Sequence, residues 1–269
     1  MAKRILAGPL GPTRAASTAA GGTALTTTAG FIAFPLGART VLLTPRNFVT
    51  AVVCQYIFNP WLTVLKTADL LVTNPTDASN NMQDGSTATT LVLNSLDTFA
   101  NGDAVYVGAD TPFRGARAII GNTNGTPSVL TVKYWNGTAW TTTSATDGTD
   151  SPVGTTLGVT GNVSWTVPTD WARVGLLDAA DTALRIGWAL QKLYWTRWEV
   201  SVALDTTVTL TGLLAMNRST AYGELLSGQP FEQNINQASG GFGCVEALVD
   251  AGTGNLIVNV AASHGGDFA

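Results

Sequence analysis

Residues 194–204 alternate: Tyr194, Thr196, Trp198, Val200 and Val202 fall on one side of an extended chain, and Trp195, Arg197, Glu199 and Ser201 on the other. Successive side chains of a β-strand point to opposite faces, so a period of two fits a strand and not a helix. Leu130, Val132 and Tyr134 repeat the pattern against Thr131 and Lys133. Further β-branched and aromatic runs lie at 48–58, 61–65, 89–93, 104–107, 117–120, 138–142, 162–167, 208–214 and 255–260. Gly, Asn, Asp and Pro separate them at intervals of roughly 8–12 residues, the spacing of an all-β sandwich. Asn136-Gly137 predicts a two-residue hairpin with both central residues at positive φ. Residues 176–187, with Asp178 and Asp181 near the start, are the stretch that reads as a short helix. The fold class expected is all-β: an antiparallel, jelly-roll-like β-sandwich over 46–214. An extended N-terminal arm (1–45) precedes it and a small β-rich C-terminal extension (215–269) follows.

Only 12% of the residues are charged, about half the usual share. Neutral polarity replaces them, in 29 Gly and 40 Thr, and Thr suits the outer face of a sheet. Eight Trp and nine Phe exclude a disordered chain. No apolar run approaches the ~20 residues of a membrane helix. The start, Met1-Ala2-Lys3-Arg4-Ile5-Leu6, resembles a signal peptide, but Gly8-Pro9 and Gly11-Pro12 interrupt it. An unprocessed product of the cytoplasm is expected.

Charge is also uneven along the chain. Residues 1–68 hold six basic residues and no acid, whereas the remainder holds eight basic and 18 acidic ones. The basic residues are dispersed, which favours docking on an acidic protein surface over nucleic-acid binding. Lys3, Arg4, Arg14, Arg39 and Arg46 are the candidate contacts of such an arm.

Catalytic residue types are scarce: one His, two Cys and four Glu. His264, near the last residue between Ser263 and Gly265, has no second His with which to build a triad elsewhere. Cys54 and Cys244 sit in apolar strands and are read as buried thiols in preference to a disulfide. Asp77/Asp84, Asp147/Asp150 and Asp178/Asp181 lack the spacing of a calcium loop, and turn or capping duty accounts for them. No metal or cofactor is expected. Of the tryptophans, Trp165 and Trp198 belong to a core face, and Trp135 and Trp140 flank the hairpin and pair across it. Trp171 and Trp195 are the two expected at the surface, as candidate glycan contacts.

One succession of motifs goes further. Ser95-Leu96-Asp97-Thr98, Asn101-Gly102-Asp103-Ala104-Val105-Tyr106-Val107-Gly108 and Thr111-Pro112-Phe113-Arg114-Gly115 come first. Leu130-Thr131-Val132-Lys133-Tyr134-Trp135-Asn136-Gly137-Thr138-Ala139-Trp140 and Thr146-Asp147-Gly148-Thr149 follow. Val163-Ser164-Trp165-Thr166-Val167-Pro168-Thr169-Asp170-Trp171 and Leu193-Tyr194-Trp195-Thr196-Arg197 complete the order. Over about residues 90–215 this resembles a β-sandwich module of virion structural proteins of tailed bacteriophages. The resemblance implies a non-enzymatic protein of the virion. With the basic leader, it leads to the expectation of a capsid decoration (cement) protein, with a trimer favoured among homo-oligomers. Its partners would be the major capsid protein or other virion subunits, with neither nucleic acid nor membrane involved. The alternative is a tail, baseplate or fibre component that contacts host surface glycans. A carbohydrate-active enzyme is a third reading, against which the scarcity of His and Glu weighs.

Overall fold

A computed structural model describes residues 14–15, 22–35, 37–235 and 241–262; Lys3, Arg4 and His264 lie outside them. The chain opens with β1 (Arg14–Ala15), β2 (Thr23–Leu25), β3 (Gly30–Ala33), β4 (Ala38–Val49) and β5 (Val53–Pro60). It continues with β6 (Thr63–Ala68), β7 (Thr76–Asp77), β8 (Leu91–Val92), β9 (Asp103–Ala109) and β10 (Phe113–Asn122). Next come β11 (Leu130–Trp135), β12 (Trp140–Thr142), β13 (Thr146–Asp147) and β14 (Gly161–Ser164). The single turn α1 (Gly187–Leu190), β15 (Tyr194–Val200) and β16 (Thr209–Asn217) follow. The chain closes with β17 (Gly223–Leu226), β18 (Phe231–Asn234), β19 (Phe242–Val249) and β20 (Thr253–Ala262).

The all-β, antiparallel sandwich reading holds, and the chain builds it twice. In the first sandwich, the sheet β1-β20-β4-β18, with β2 also on β20, faces the sheet β17-β5-β19-β3. Leu25, Phe34, Val41, Leu43, Val245 and Val258 are among the side chains packed between them. In the second, β12-β11-β15-β9-β6-β7 faces β13-β14-β10-β16-β8 over Val107, Phe113, Val132, Trp165, Trp198 and Leu213. The second sandwich is inserted into the first: the chain leaves β5 through Trp61 and Leu62 and returns to β17 after β16.

These units divide the chain at places other than the sequence indicated. β4 runs straight through the 45/46 boundary, so residues 22–35 and 37–45 of the expected arm belong to the first sandwich. Residues 223–262 complete that same sandwich: Leu256 pairs with Pro45 and Val245 with Phe58. Such pairings join residues about two hundred positions apart, which no local pattern encodes.

Three local expectations are also corrected. The run 48–58 is two strands, because Thr50 turns the chain at φ 66° and the Asp250 carboxylate accepts the Val52 and Val53 amides. The hairpin at Asn136-Gly137 is a four-residue loop between the paired Trp135 and Trp140. Only Gly137 has positive φ there; Asn136 Oδ1 shapes the turn by accepting from the amides of Thr138 and Ala139. Residues 176–180 form turns, with Ala180 at φ 61°, residues 181–186 are irregular, and the helix is confined to α1.

Candidate functional site

An antiparallel sheet of a sandwich ordinarily presents a polar face to water. The outer face of the sheet containing β15 is instead covered. Leu65, Tyr106 and Trp195 pack there under Val174, Leu176, Ala179 and Leu193, which the segment leading into β15 supplies. Trp195 is completely buried, and its ring lies so close over Gly108 that a Cβ there would stand 2.6 Å from it. Trp171 is buried in the second sandwich, 5.2 Å between ring centroids from Phe113, and its Nε1 donates to the Trp195 carbonyl. The expectation that Trp171 and Trp195 stand at the surface is therefore corrected, and neither ring presents a face to a sugar. The alternation along β15 was read rightly; both of its faces are buried. Trp165 and Trp198 lie in the core, and Trp135 and Trp140 pair across the hairpin at 5.7 Å, as expected.

Two residues along β15 from Trp195, the same covered face holds a charged cluster. The Arg197 guanidinium, only 6% exposed as a residue, lies between the rings of Phe99 at 3.8 Å and Trp140 at 4.8 Å. Its Nε donates to Glu199 Oε1 at 2.7 Å, and its Nη1 stands 3.8 Å from Asp181 Oδ1. Lys133 Nζ reaches Glu199 Oε2 at 2.9 Å, and Trp140 Nε1 donates to Asp181 Oδ1 at 3.0 Å. The four charges cancel, while each aromatic ring offers the guanidinium its negative face. β9, β11 and β15 position these groups, with Tyr106 and Lys133 both opposite Arg197 in register. The sequence reading placed Asp181 near a helix start and Glu199 on the side of the strand that carries Trp195 and Arg197. What it lacked was the cover over that face.

No hydrogen bond of normal length reaches the buried Asp181 Oδ2, and burial raises the Asp181 pKa above the ordinary carboxylate value despite the neighbouring Trp140, Arg197 and Tyr106 groups. A carboxyl whose folded pKa is raised binds its proton more tightly when folded. Its contribution to stability therefore grows as pH falls through the folded pKa, until the unfolded group is protonated too. Asp181→Asn, a neutral isostere, is expected to match or exceed the wild-type thermal midpoint at pH 7, and the difference should shrink toward pH 4. A midpoint for the variant well below wild type at pH 7 would mean that the ionised carboxylate is the stabilising form.

At the joint of the two sandwiches, Arg114 Nη2 on β10 lies 3.4 Å from both oxygens of Glu246 on β19. The Tyr222 hydroxyl donates to Glu246 Oε1 at 2.6 Å, and burial followed by that carboxylate pushes its pKa up to about 12. Beside them Asn217 bonds to Asn59 Oδ1 and to the Phe58 carbonyl, both at 2.7 Å. A groove of about 450 Å³ runs along this joint, with Phe31, Ala33, Met82, Ser86, Ile119 and Thr211 in its lining.

Large apolar side chains are exposed at the ends remote from the joint. β5 ends at the joint, so its start, next to Val49, Val52 and Leu226, is the far end of the first sandwich. β6 starts at the joint and pairs there with Gly108, opposite Trp195, so the end of β15 is the far end of the second. Val129, Val202 and Val153, the last 95% exposed, are gathered there through Ser128 and Ser201. Sequence reading missed both tips, since an exposed valine at a strand end looks like a core valine.

Of the residues assigned to the arm, Arg14 stands in β1, and Arg39 and Arg46 are exposed along β4. Neither Arg39 nor Arg46 takes part in an ion pair among the described residues. Cys54 and Cys244 are buried free thiols, and burial pushes the Cys54 thiol up to about 11. Asp77, Asp84, Asp147 and Asp150 accept hydrogen bonds from their own turns. Among the described residues, no group of three or more His, Cys, Asp or Glu is placed to hold a metal ion.

No protein-family profile and no curated protein matches the chain. Among solved structures it is similar, at a TM-score of 0.30 and 10% identity, to the arabinofuranosyltransferase AftD from Mycobacteria. The likeness covers 90% of this chain and 20% of that one, so the chain spans about a fifth of its length.

Proposed function

We propose that the chain is a non-enzymatic structural subunit of a tailed-bacteriophage particle, and within that class a capsid decoration protein that binds the head lattice. The observation that carries the reading is the pair of valine-rich tips, one at the far end of each sandwich. Exposed apolar groups gathered on a charge-poor surface are the mark of contacts with neighbouring subunits. The motif order over residues 90–215 supports the same class, and it falls within the inserted sandwich and the strands flanking its core. Low charge lowers the cost of dehydrating such contacts. The basic residues of 1–13, together with the exposed Arg39 and Arg46, are proposed as the lattice-binding set, acting on an acidic capsid face. The partner is the major capsid protein, and a trimer is the oligomer proposed.

Quantitative mass spectrometry of purified particles tests this, alongside gold-labelled antibody against the chain. The expected result is label over the head and a copy number that matches lattice positions. Absence of the chain from purified particles would overturn the structural reading, and label confined to the tail would overturn the decoration role. A variant lacking residues 2–13 leaves every described strand intact and is expected to lose head binding. Unchanged occupancy would remove the arm from the account.

A further inference from the structure

We infer that Asn136, in the loop between β11 and β12, is a site of spontaneous covalent modification that the fold selects over the other Asn-Gly pairs of the chain. The reaction uses only water and hydroxide. Hydroxide takes the proton of the glycine amide, and that nitrogen attacks Cγ of the preceding asparagine. A C–N bond forms, and Nδ2 leaves as ammonia with a proton from water. Water then opens the resulting succinimide ring at either carbonyl. One opening gives an aspartyl residue, and the other gives an isoaspartyl residue whose main chain runs through Cβ and Cγ. Glycine in second place favours ring closure, because no Cβ crowds its nitrogen.

The sequence offers three such pairs, Asn101-Gly102, Asn124-Gly125 and Asn136-Gly137, and the fold restrains two of them. The Gly102 amide donates to the Phe99 carbonyl at 3.1 Å, and the Gly125 amide to Asp205 Oδ2 at 2.6 Å. Their leaving groups are tied as well. Asn101 Nδ2 donates to Asp97 Oδ2, and Asn124 Nδ2 to the carbonyls of Thr126 and Thr156. Asn124 is in addition only 2% exposed. Neither restraint applies in the hairpin loop. Among the described residues, the Gly137 amide and Asn136 Nδ2 have no hydrogen-bond partner, and Gly137, Thr138 and Ala139 are exposed.

The atom of Asn136 that is held is the one whose restraint helps. Oδ1 accepts from the Thr138 amide at 3.0 Å, the Thr138 hydroxyl at 3.0 Å and the Ala139 amide at 2.8 Å. When the Gly137 nitrogen adds to Cγ, the negative charge develops on Oδ1. Donors already aimed at a developing oxyanion lower the barrier to its formation. The products differ in their effect on the fold. An aspartyl residue keeps the acceptor and strengthens these hydrogen bonds with its charge. An isoaspartyl residue lengthens the main chain between the paired Trp135 and Trp140, and Trp140 is one of the two rings that enclose Arg197. The inference is independent of the proposed role in the virion.

The test is a time course of the native full chain at about pH 8 and 37 °C, run beside the same chain in guanidinium chloride. Tryptic digestion and mass spectrometry follow, with electron-transfer fragmentation to tell the two products apart. Cleavage after Lys66, Arg114, Arg117, Lys133 and Arg173 places Asn101, Asn124 and Asn136 on separate peptides, 67–114, 118–133 and 134–173. The three are expected to react at similar rates in the denatured chain. In the native chain Asn136 is expected to react about tenfold faster than either of the others, since each of those must first give up a hydrogen bond at its glycine amide. Two results would overturn the inference. One is an Asn136 that stays intact in the native chain over the time in which the denatured chain is converted. The other is a native preference for Asn136 no larger than that of the denatured chain.

Discussion

Arg197→Met is expected to lower the thermal midpoint by roughly 10 °C, because it breaks a buried charge cluster from one side. The guanidinium separates Glu199 from Asp181 and fills the gap between Phe99 and Trp140. Methionine restores part of the volume but none of the charge. Glu199 keeps Lys133, at 2.9 Å, whereas Asp181 keeps only its neutral partners. Removing one member of a buried pair typically costs about 3–5 kcal/mol, since the remaining charge stays out of water. The double variant Arg197→Met, Asp181→Asn should recover a good part of the loss. Thermal unfolding of the three variants measures this directly. Equal midpoints for Arg197→Met and the wild type would show that the cluster contributes nothing, as an exposed salt bridge would.

Trp195→Ala is the second large effect. The ring is wholly buried between Gly108 and the cover formed by residues 174–193, and its removal leaves a cavity that the sheet cannot close. The cost is expected at about 3–5 kcal/mol. Gly108→Ala tests the same contact from the opposite side: the new methyl would meet the ring at 2.6 Å and force it outward, at about 1–3 kcal/mol. Denaturant midpoints measure both. The two losses should combine less than additively, because they act on one contact. Strict additivity would mean that Gly108 and Trp195 do not bear on each other. A sugar-contact role would make Trp195→Ala silent in stability, which is opposite to what its burial requires.

The period-two pattern of β11 and β15 exposed the fold class because alternation is a local property, carried by five to seven consecutive residues. The same property hid the two-sandwich division, since Leu256 and Pro45, or Val245 and Phe58, meet only through the folded chain. Alternation also divides a strand's residues between two faces without saying whether water covers either. That is why Trp195 and Arg197 were placed on the correct side and Trp195 given the wrong exposure. The Asp residues of the turns were legible because their partners lie two to five positions away. The cluster around Arg197 was not, because Phe99, Lys133, Trp140 and Asp181 come to it from separated segments. The thiols of Cys54 and Cys244 were legible from apolar neighbours in sequence that remain neighbours in space.

The insertion has a consequence for biosynthesis. Strands β6 to β16 are contiguous, so the inner sandwich has all its strands as soon as Asn217 has left the ribosome. The outer sandwich cannot close then, because β4 and β5 must wait for β19 and β20. The usual vectorial order, in which the N-terminal unit folds first, is thus reversed here. Until residues 218–262 have been made, the edges of β4 and β5 are open to any other strand. Pairing between two nascent copies at those edges would yield an exchanged dimer, so chaperone capture during that interval would have most effect on the yield of soluble subunit.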